Sequence, residues 1–391
     1  MNDQKLNLIA TSAFGLEAIV SRELKALGYT DQTVLDGRVV FRGDERAICR
    51  ANLWLRSADR VLVQIGEFPA DDFGVLFDET EALPWSDWLT ADAAFPVKGK
   101  SIRSQLHSVP DCQKLVKKAI VEHLKQHHQT DWFEETGPEF PVEVSILKDR
   151  ASITIDTSGV GLHKRGYRKL VGNAPLRETL AAALIQLSFW NSDRPFIDPL
   201  CGTGTIPIEA ALIGRNLAPG LNREFLAESW PRVPKQLWDE ARTEARDLAT
   251  DSLETVLVAT DFDEEALSMA RYHAKLAGVE SDIHFQQKSM ANFTTQRKYG
   301  CIITNPPYGE RLGEQEEAEK LYDEMRVAFS ELETWSFYVL TSHPSFENFF
   351  RKQATRRRKL YNGRIECTYY QYAGPRPPRP KRIMPDEETN E

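Results

Sequence analysis

Along the first third of the chain the apolar positions switch between a period of two and a period of three to four, the marks of strand and helix. Residues 6–12 (LNLIATS) read as a strand. Residues 14–29 place Leu16, Ile19, Val20, Leu24 and Leu27 on one helix face, and Gly28 supplies the stop. Residues 33–43 (TVLDGRVVFRG) fit one strand or a hairpin, residues 44–60 a second helix, and residues 61–68 (VLVQIGEF) a further strand. That β-α-β-α-β order predicts an α+β unit. From about Phe68 to Ser158 the pattern gives a helix near Trp85, a strand at 95–97 and a helix around 115–124. A hairpin follows, 142–147 with 151–156, about the Lys148-Asp149-Arg150 turn.

In the second half, short apolar runs end in candidate chemistry. Phe196 and Ile197 lead into Asp198, Gly202 and Gly204 allow a tight turn, and Ile206, Ile208, Ala210, Ala211 and Leu212 continue as a buried helix. Strand, glycine turn and helix suit a nucleotide-like ligand at a strand's carboxyl end. The third glycine of the dinucleotide fingerprint and the Gly-Lys-Ser/Thr of a phosphate loop are both missing, so nothing demands a pyrophosphate. A bare glycine turn satisfies the same pattern taken alone. Val256 to Ala259 predict a second strand ending at Asp261, where a carboxylate can accept both hydrogens of a ribose diol or merely cap the turn. Asp263 is a plausible helix N-cap. Residues 214–250, with Trp230 and Trp238, read as an insertion after the first helix.

A third run, CIIT, ends at Asn305-Pro306-Pro307-Tyr308. An exocyclic base amine is a weak nucleophile because its lone pair is delocalised into the ring. Acceptors aimed at its two N–H groups favour rehybridisation toward a tetrahedral nitrogen. The Asn305 side-chain oxygen and the Pro306 carbonyl can supply them. Pro306 and Pro307 fix φ and remove competing N–H donors, and Tyr308 offers a face for a flipped base. A rigid turn is the plain alternative.

Those segments, with GLHKRGYRKL (161–170), APLRETLAAAL (174–184), NLAPGL (216–221) and RRRKLYNG (356–363), carry a resemblance over nearly the whole chain. It resembles the THUMP-containing class I RNA methyltransferases, and more narrowly the bacterial large-subunit (23S) rRNA guanine-N2 methyltransferases. The resemblance implies an α/β catalytic domain, a Rossmann-like doubly wound sheet with a C-terminal antiparallel hairpin. Ahead of it stand N-terminal α+β ferredoxin-like and THUMP modules. The expected boundaries are 1–67 (ferredoxin-like), 68–160 (THUMP), 161–173 (basic connector), 174–374 (methyltransferase) and 375–391 (a proline-rich disordered tail). The cofactor implied is S-adenosyl-L-methionine, contacted by Asp198, Gly202, Gly204, Thr205 and Asp261. The target amine would meet Asn305, Pro306 and Tyr308. Many relatives place an acid after the next strand to meet the adenine amine; here Ser289 or the Met290 backbone stands there. Gly309-Glu310-Arg311-Leu312 leans toward the guanine enzymes by resemblance.

Composition changes the picture through charge. The net −9 looks wrong for a nucleic-acid enzyme until it is divided. Residues 148–177 hold seven Lys/Arg against two acids, and residues 351–382 eleven against one. An acidic body with two basic surfaces fits phosphate binding, with solvated linkers as the plain alternative. The basic candidates are Lys164, Arg165, Arg168, Lys169, Arg356, Arg357, Arg358 and Lys359. RNA is the expected partner, and the resemblance implies 23S rRNA or a large-subunit precursor. Five cysteines show no metal spacing, and His123, His127 and His128 lack a carboxylate or cysteine at ligand spacing, so no metal is expected. The first residues lack a signal-peptide pattern and no apolar run is long enough for a span, so a cytoplasmic enzyme without a membrane partner is expected. Adenine-N6 or tRNA guanine-N2 methylation, protein-glutamine methylation, or a catalytically silent RNA-binding assembly factor are the other readings.

Overall fold

The structure, a computed structural model, describes residues 5–130, 132–170, 176–309 and 314–378. Its first half is built from β1 (Leu6–Ser12), α1 (Glu17–Ala26), β2 (Gln32–Leu35), β3 (Arg38–Gly43), α2 (Glu45–Trp54), β4 (Ala58–Pro69), α3 (Phe73–Glu81), β5 (Val97–Ile102), α4 (Val109–His128), β6 (Val142–Leu147) and β7 (Arg150–Asp156). Residues 33–43 thus resolve as a hairpin, turning where Gly37 takes φ +72°. Lys148 and Asp149, both at positive φ, make the two-residue turn between β6 and β7. The helix expected near Trp85 is α3, and Trp85 itself lies in a short 3-10 turn just after it, buried with its indole N–H donating to the Thr80 carbonyl. The strand expected at 95–97 begins at Val97 and runs on to Ile102, while Phe95 packs in the core.

The two expected N-terminal modules share one seven-stranded sheet, ordered β2-β3-β1-β4-β7-β6-β5. β4 joins them because it is long. Its residues Ala58–Gln64 pair with β1 on one edge, and Leu62–Pro69 pair with β7 on the other. The 67/68 boundary therefore falls inside a strand.

The second half adds α5 (Glu178–Leu187), β8 (Phe196–Asp198), α6 (Thr205–Gly214), α7 (Lys235–Asp247), β9 (Leu257–Asp261), α8 (Glu264–Leu276), β10 (Ile283–Gln287), β11 (Cys301–Thr304), α9 (Glu314–Ser330), β12 (Ser336–Thr341), α10 (Phe346–Phe350), β13 (Arg356–Asn362) and β14 (Ile365–Tyr372). Its sheet runs β10-β9-β8-β11-β12-β14-β13, parallel through β12, with β14 antiparallel to both neighbours. This is a Rossmann-like doubly wound sheet closed by an antiparallel hairpin. β11 and β12 are buried at every position, as helices on both faces of a parallel sheet require. Strand order reverses at β8, so the crevice for a ligand opens beyond the ends of β8, β9 and β11.

The insertion leaves the catalytic half and packs on the first. Trp230 stacks on Phe140 at 4.6 Å and donates to the Glu139 carbonyl, and α7 lies on α2 with Arg50 gripping both oxygens of Glu244 at 2.9 and 2.7 Å. Trp230, Trp238, Ala241 and Ala245 belong to the N-terminal core. In return Leu16 and Ile19 of α1 join the catalytic core. No helix among the described residues is long and apolar enough to cross a membrane. Of the expected tail, residues 379–391 lie outside the described residues.

Candidate active site

β8, β9, β10 and β11 deliver their chemistry side by side. After β8 the chain turns through Gly202 (φ +51°) and Gly204 (φ +83°) into α6. A Cβ at Gly204 would come within 2.9 Å of Ala270 on α8, so only glycine lets the helices close. A Cβ at Gly202 would meet nothing within 4 Å, so the turn faces open space there. The Gly202 N–H donates to Asp261 Oδ2 at 2.8 Å, and Oδ1 accepts from the Asp263 N–H at 3.1 Å. Asp261 therefore holds the glycine turn against the end of β9. Capping α8 falls to Asp263, which accepts from the Glu265 and Ala266 N–H groups.

Asp198 is almost fully buried, and burial pushes its carboxyl up to about 7. Its Oδ1 accepts from the Leu200 N–H at 3.2 Å and from the Thr304 hydroxyl at 2.7 Å. Thr304 is the last residue of β11. One hydrogen bond thus links the cofactor turn to the residue before Asn305. Burial also raises Asp261.

Beyond β11, Pro306 is buried and Pro307 exposed. Tyr322 of α9 donates to the Pro307 carbonyl at 2.8 Å and lies 3.0 Å from the Thr341 hydroxyl, which fixes the loop's second peptide. Tyr308 is half-buried, and its hydroxyl donates to Asn305 Oδ1 at 2.5 Å. Glu310, Arg311 and Leu312 lie outside the described residues. At the end of β10, the Lys288 N–H donates to the Asp261 carbonyl. Ser289 then opens a 3-10 turn, and its hydroxyl accepts from Asn292 at 3.1 Å. Met290 is buried beneath.

The basic candidates separate. Lys164 and Lys169 are exposed. Arg165 is buried: it donates to the Leu162 and Arg56 carbonyls and meets Glu209 at 3.4 Å. Arg168 pairs with Glu178 at 3.4 Å and donates to the Leu176 carbonyl and the Thr205 hydroxyl. These two guanidiniums face inward, contrary to the surface role expected of them, because buried Glu209 and Glu178 need a counter-charge. A lone acid in the otherwise apolar IPIEAAL run was the available signal. The connector also reaches the cofactor turn through His273, which accepts from the Leu170 N–H and lies 3.3 Å from the Thr203 carbonyl. Thr304, Tyr322 and His273 had no motif to mark them. On β13, Arg357 pairs with Glu347 and Lys359 with Glu366; Arg356 is exposed and Arg358 half-buried. His123 contacts the Glu81 carbonyl at 2.8 Å.

Comparison with known proteins fits this arrangement. Residues 165–371 match the family described as RMKL-like, methyltransferase domain. Residues 7–62 match the RlmL ferredoxin-like domain and 70–156 the THUMP domain. The chain belongs to the RMKL-like methyltransferase family. A Bacillus subtilis relative described as the putative RNA methyltransferase YpsC is 52% identical over 371 residues, covering 94% of this chain and 96% of its own. A crystal structure from Listeria monocytogenes, described as a predicted N6-adenine-specific DNA methylase, superposes with TM-score 0.91 at 52% identity over 95% of this chain and 97% of its own. The putative methyltransferase SMU.472, complexed with SAH, gives 0.90 at 44% identity over 96% and 100%. The cofactor of this RMKL-like enzyme is S-adenosyl-L-methionine. The open Gly202 turn and the Asp261 carboxylate beside it fit that ligand.

Proposed function

We propose that this protein methylates the exocyclic N2 amine of a guanine in 23S rRNA, free or within a large-subunit precursor, in the cytoplasm. The observation that carries the reading is the Thr304–Asp198 hydrogen bond, which ties the Asn305 loop to the cofactor turn across two adjacent strand ends. The THUMP module, which binds RNA, supports an RNA substrate, as does the description of the Bacillus relative.

Bound S-adenosyl-L-methionine supplies an electrophilic methyl group. The chain's own work is to hold the amine and orient it. Asn305 Oδ1 has two lone pairs, so it can accept an amine N–H while keeping the Tyr308 hydroxyl. The Pro306 carbonyl is the second acceptor. Tyr322 holds the neighbouring Pro307 carbonyl, so both acceptors are positioned before substrate arrives. Once methylated, the amine is acidic enough to lose its proton to water, and no strong base is required.

Similarity to the Listeria protein, described as adenine-specific, favours adenine N6 as a second reading, because two acceptors on an Asn-Pro-Pro loop serve either amine. Nucleoside mass spectrometry of ribosomal and transfer RNA, with and without the gene, separates them. Loss of N2-methylguanosine from 23S rRNA is the expected result. Loss of N6-methyladenosine alone would establish the second reading.

A further inference from the structure

β13 is the edge strand of the catalytic sheet, and its basic residues divide by face. Arg357 and Lys359 are neutralised by Glu347 and Glu366, each at 2.6 Å. Arg356 and Arg358 alternate with them onto the other face and have no ion-pair partner among the described residues. Arg22 of α1, anchored by a bond to the Gln186 carbonyl, reaches Arg358 from the first half of the molecule. Burial, then Arg356 and Arg22, push the Arg358 guanidinium below its ordinary value, and its Nε is buried without a hydrogen-bond partner. The carboxylates on α1 are engaged elsewhere: Glu17 accepts from the Gly15 and Gly37 N–H groups, and Glu23 from those of Arg56 and Ser57 and from the Gln186 amide. Like charges crowded without a counter-ion raise the energy of the free protein, and a bound polyanion relieves that repulsion.

An exposed aromatic side chain completes the surface. Phe14, 55% exposed, stands beside the Gly15 turn, which packs closely on the Lys359 carbonyl and the Leu360 side chain, and Leu360 shares the face of Arg356 and Arg358. The strand register fixes the distance to the amine site. Thr304 pairs with Val339, Val339 with Tyr370, and Tyr370 with Arg357. Asn305 and Arg358 each lie one residue past that row, three strand spacings apart, about 14 Å. At a rise of about 3.4 Å per nucleotide that is roughly four nucleotides, fewer when the strand is extended.

We propose that Arg22 and Phe14 of the N-terminal half, with Arg356 and Arg358 of the catalytic edge, form one surface for single-stranded RNA flanking the nucleotide held at Asn305. The guanidiniums take phosphates and Phe14 stacks an unpaired base. This assignment rests on the RNA-methyltransferase reading above. Because the surface draws on both halves, strand binding also spans their junction.

The test uses the full chain, a fluorescein-labelled uridine oligomer of about twelve nucleotides, and a labelled RNA hairpin of the same length. Arg22→Glu and Arg356→Glu should each weaken oligomer binding about tenfold or more in anisotropy and flatten its salt dependence. Phe14→Ala should weaken the oligomer about fivefold and leave the hairpin unchanged. Calorimetric S-adenosylmethionine affinity, unchanged in each variant, certifies the fold. The proposal is overturned if folded Arg22→Glu binds the oligomer with wild-type affinity and salt slope, or if the wild-type chain does not bind it. Equal losses on oligomer and hairpin from Phe14→Ala overturn the single-strand assignment. If the variants lose binding while the wild-type chain methylates no RNA, the surface stands and the functional reading fails.

Discussion

Asn305 and Tyr308 meet side chain to side chain across the two prolines, so the acceptor needed for an amine is held in place by its own loop. Asn305→Ala should lower the single-turnover methyl-transfer rate on the order of 10²-fold, the scale of losing one preorganised contact to the reacting group. Calorimetric cofactor affinity should stay at the wild-type value. A wild-type transfer rate from this variant would sink the amine-site mechanism. Tyr308→Phe keeps the stacking face but loses the hydroxyl that tethers Asn305, so it should slow transfer about tenfold, less than Asn305→Ala; Tyr308→Ala loses face and tether together and should slow it more. Asp198 makes a pH prediction. Its folded value of about 7 lies above the unfolded 3.8, so the native state holds the proton more tightly. The stability it contributes is full below about pH 3.8 and is lost as pH rises through about 7. A cationic cofactor favours the carboxylate, so affinity should rise between about pH 6 and about pH 8 with proton release on binding. Calorimetry in buffers of different ionisation heat measures this. Asp198→Asn should flatten the profile, and a flat wild-type profile would remove Asp198 from cofactor contact.

Among the elements, β8, β9 and β11 were legible because each is a short apolar run that stops at a residue with chemistry to offer: Asp198, Asp261 and Asn305. What holds those ends in register was not legible, since it comes from residues distant in sequence. Tyr322 reaches back fifteen positions to the Pro307 carbonyl, and nothing in the helix pattern of α9 marks it. Tyr322→Phe removes that bond and the contact with Thr341. It should cost about 1 kcal/mol in chemical denaturation. It should also slow transfer more than it weakens the cofactor, because the loop it positions carries the acceptors. An unchanged rate at reduced stability would leave Tyr322 a packing residue only. Arg165 and Arg168 show the opposite difficulty. In sequence they look like surface charge, and only the folded contact with Glu209 and Glu178 shows that they belong inside.

At the scale of the whole molecule, two modules and a catalytic domain are bound so closely that they do not divide where composition suggests. β4 crosses the first expected boundary, and the insertion sends Trp230 and Trp238 into the N-terminal core. The connector closes the junction from the other side, its Arg165 bridging the Arg56 carbonyl and the Glu209 carboxylate. A fragment of residues 171–391 keeps every cofactor and amine residue named above and looks from sequence like a free-standing enzyme that merely lacks RNA capture. The structure predicts otherwise. The fragment strands Glu209 as a buried carboxylate without its guanidinium, a loss of about 3–5 kcal/mol, and bares the tryptophans that sat against Phe140 and α2. Those losses are comparable to the whole stability of an ordinary domain. The full chain should therefore melt without an early N-terminal transition, and the fragment should be unfolded or aggregated and fail to bind S-adenosylmethionine. Differential scanning calorimetry of the chain and circular dichroism of the fragment measure both. A soluble fragment with wild-type cofactor affinity would show that the strap and connector are accessory, and that the halves fold independently.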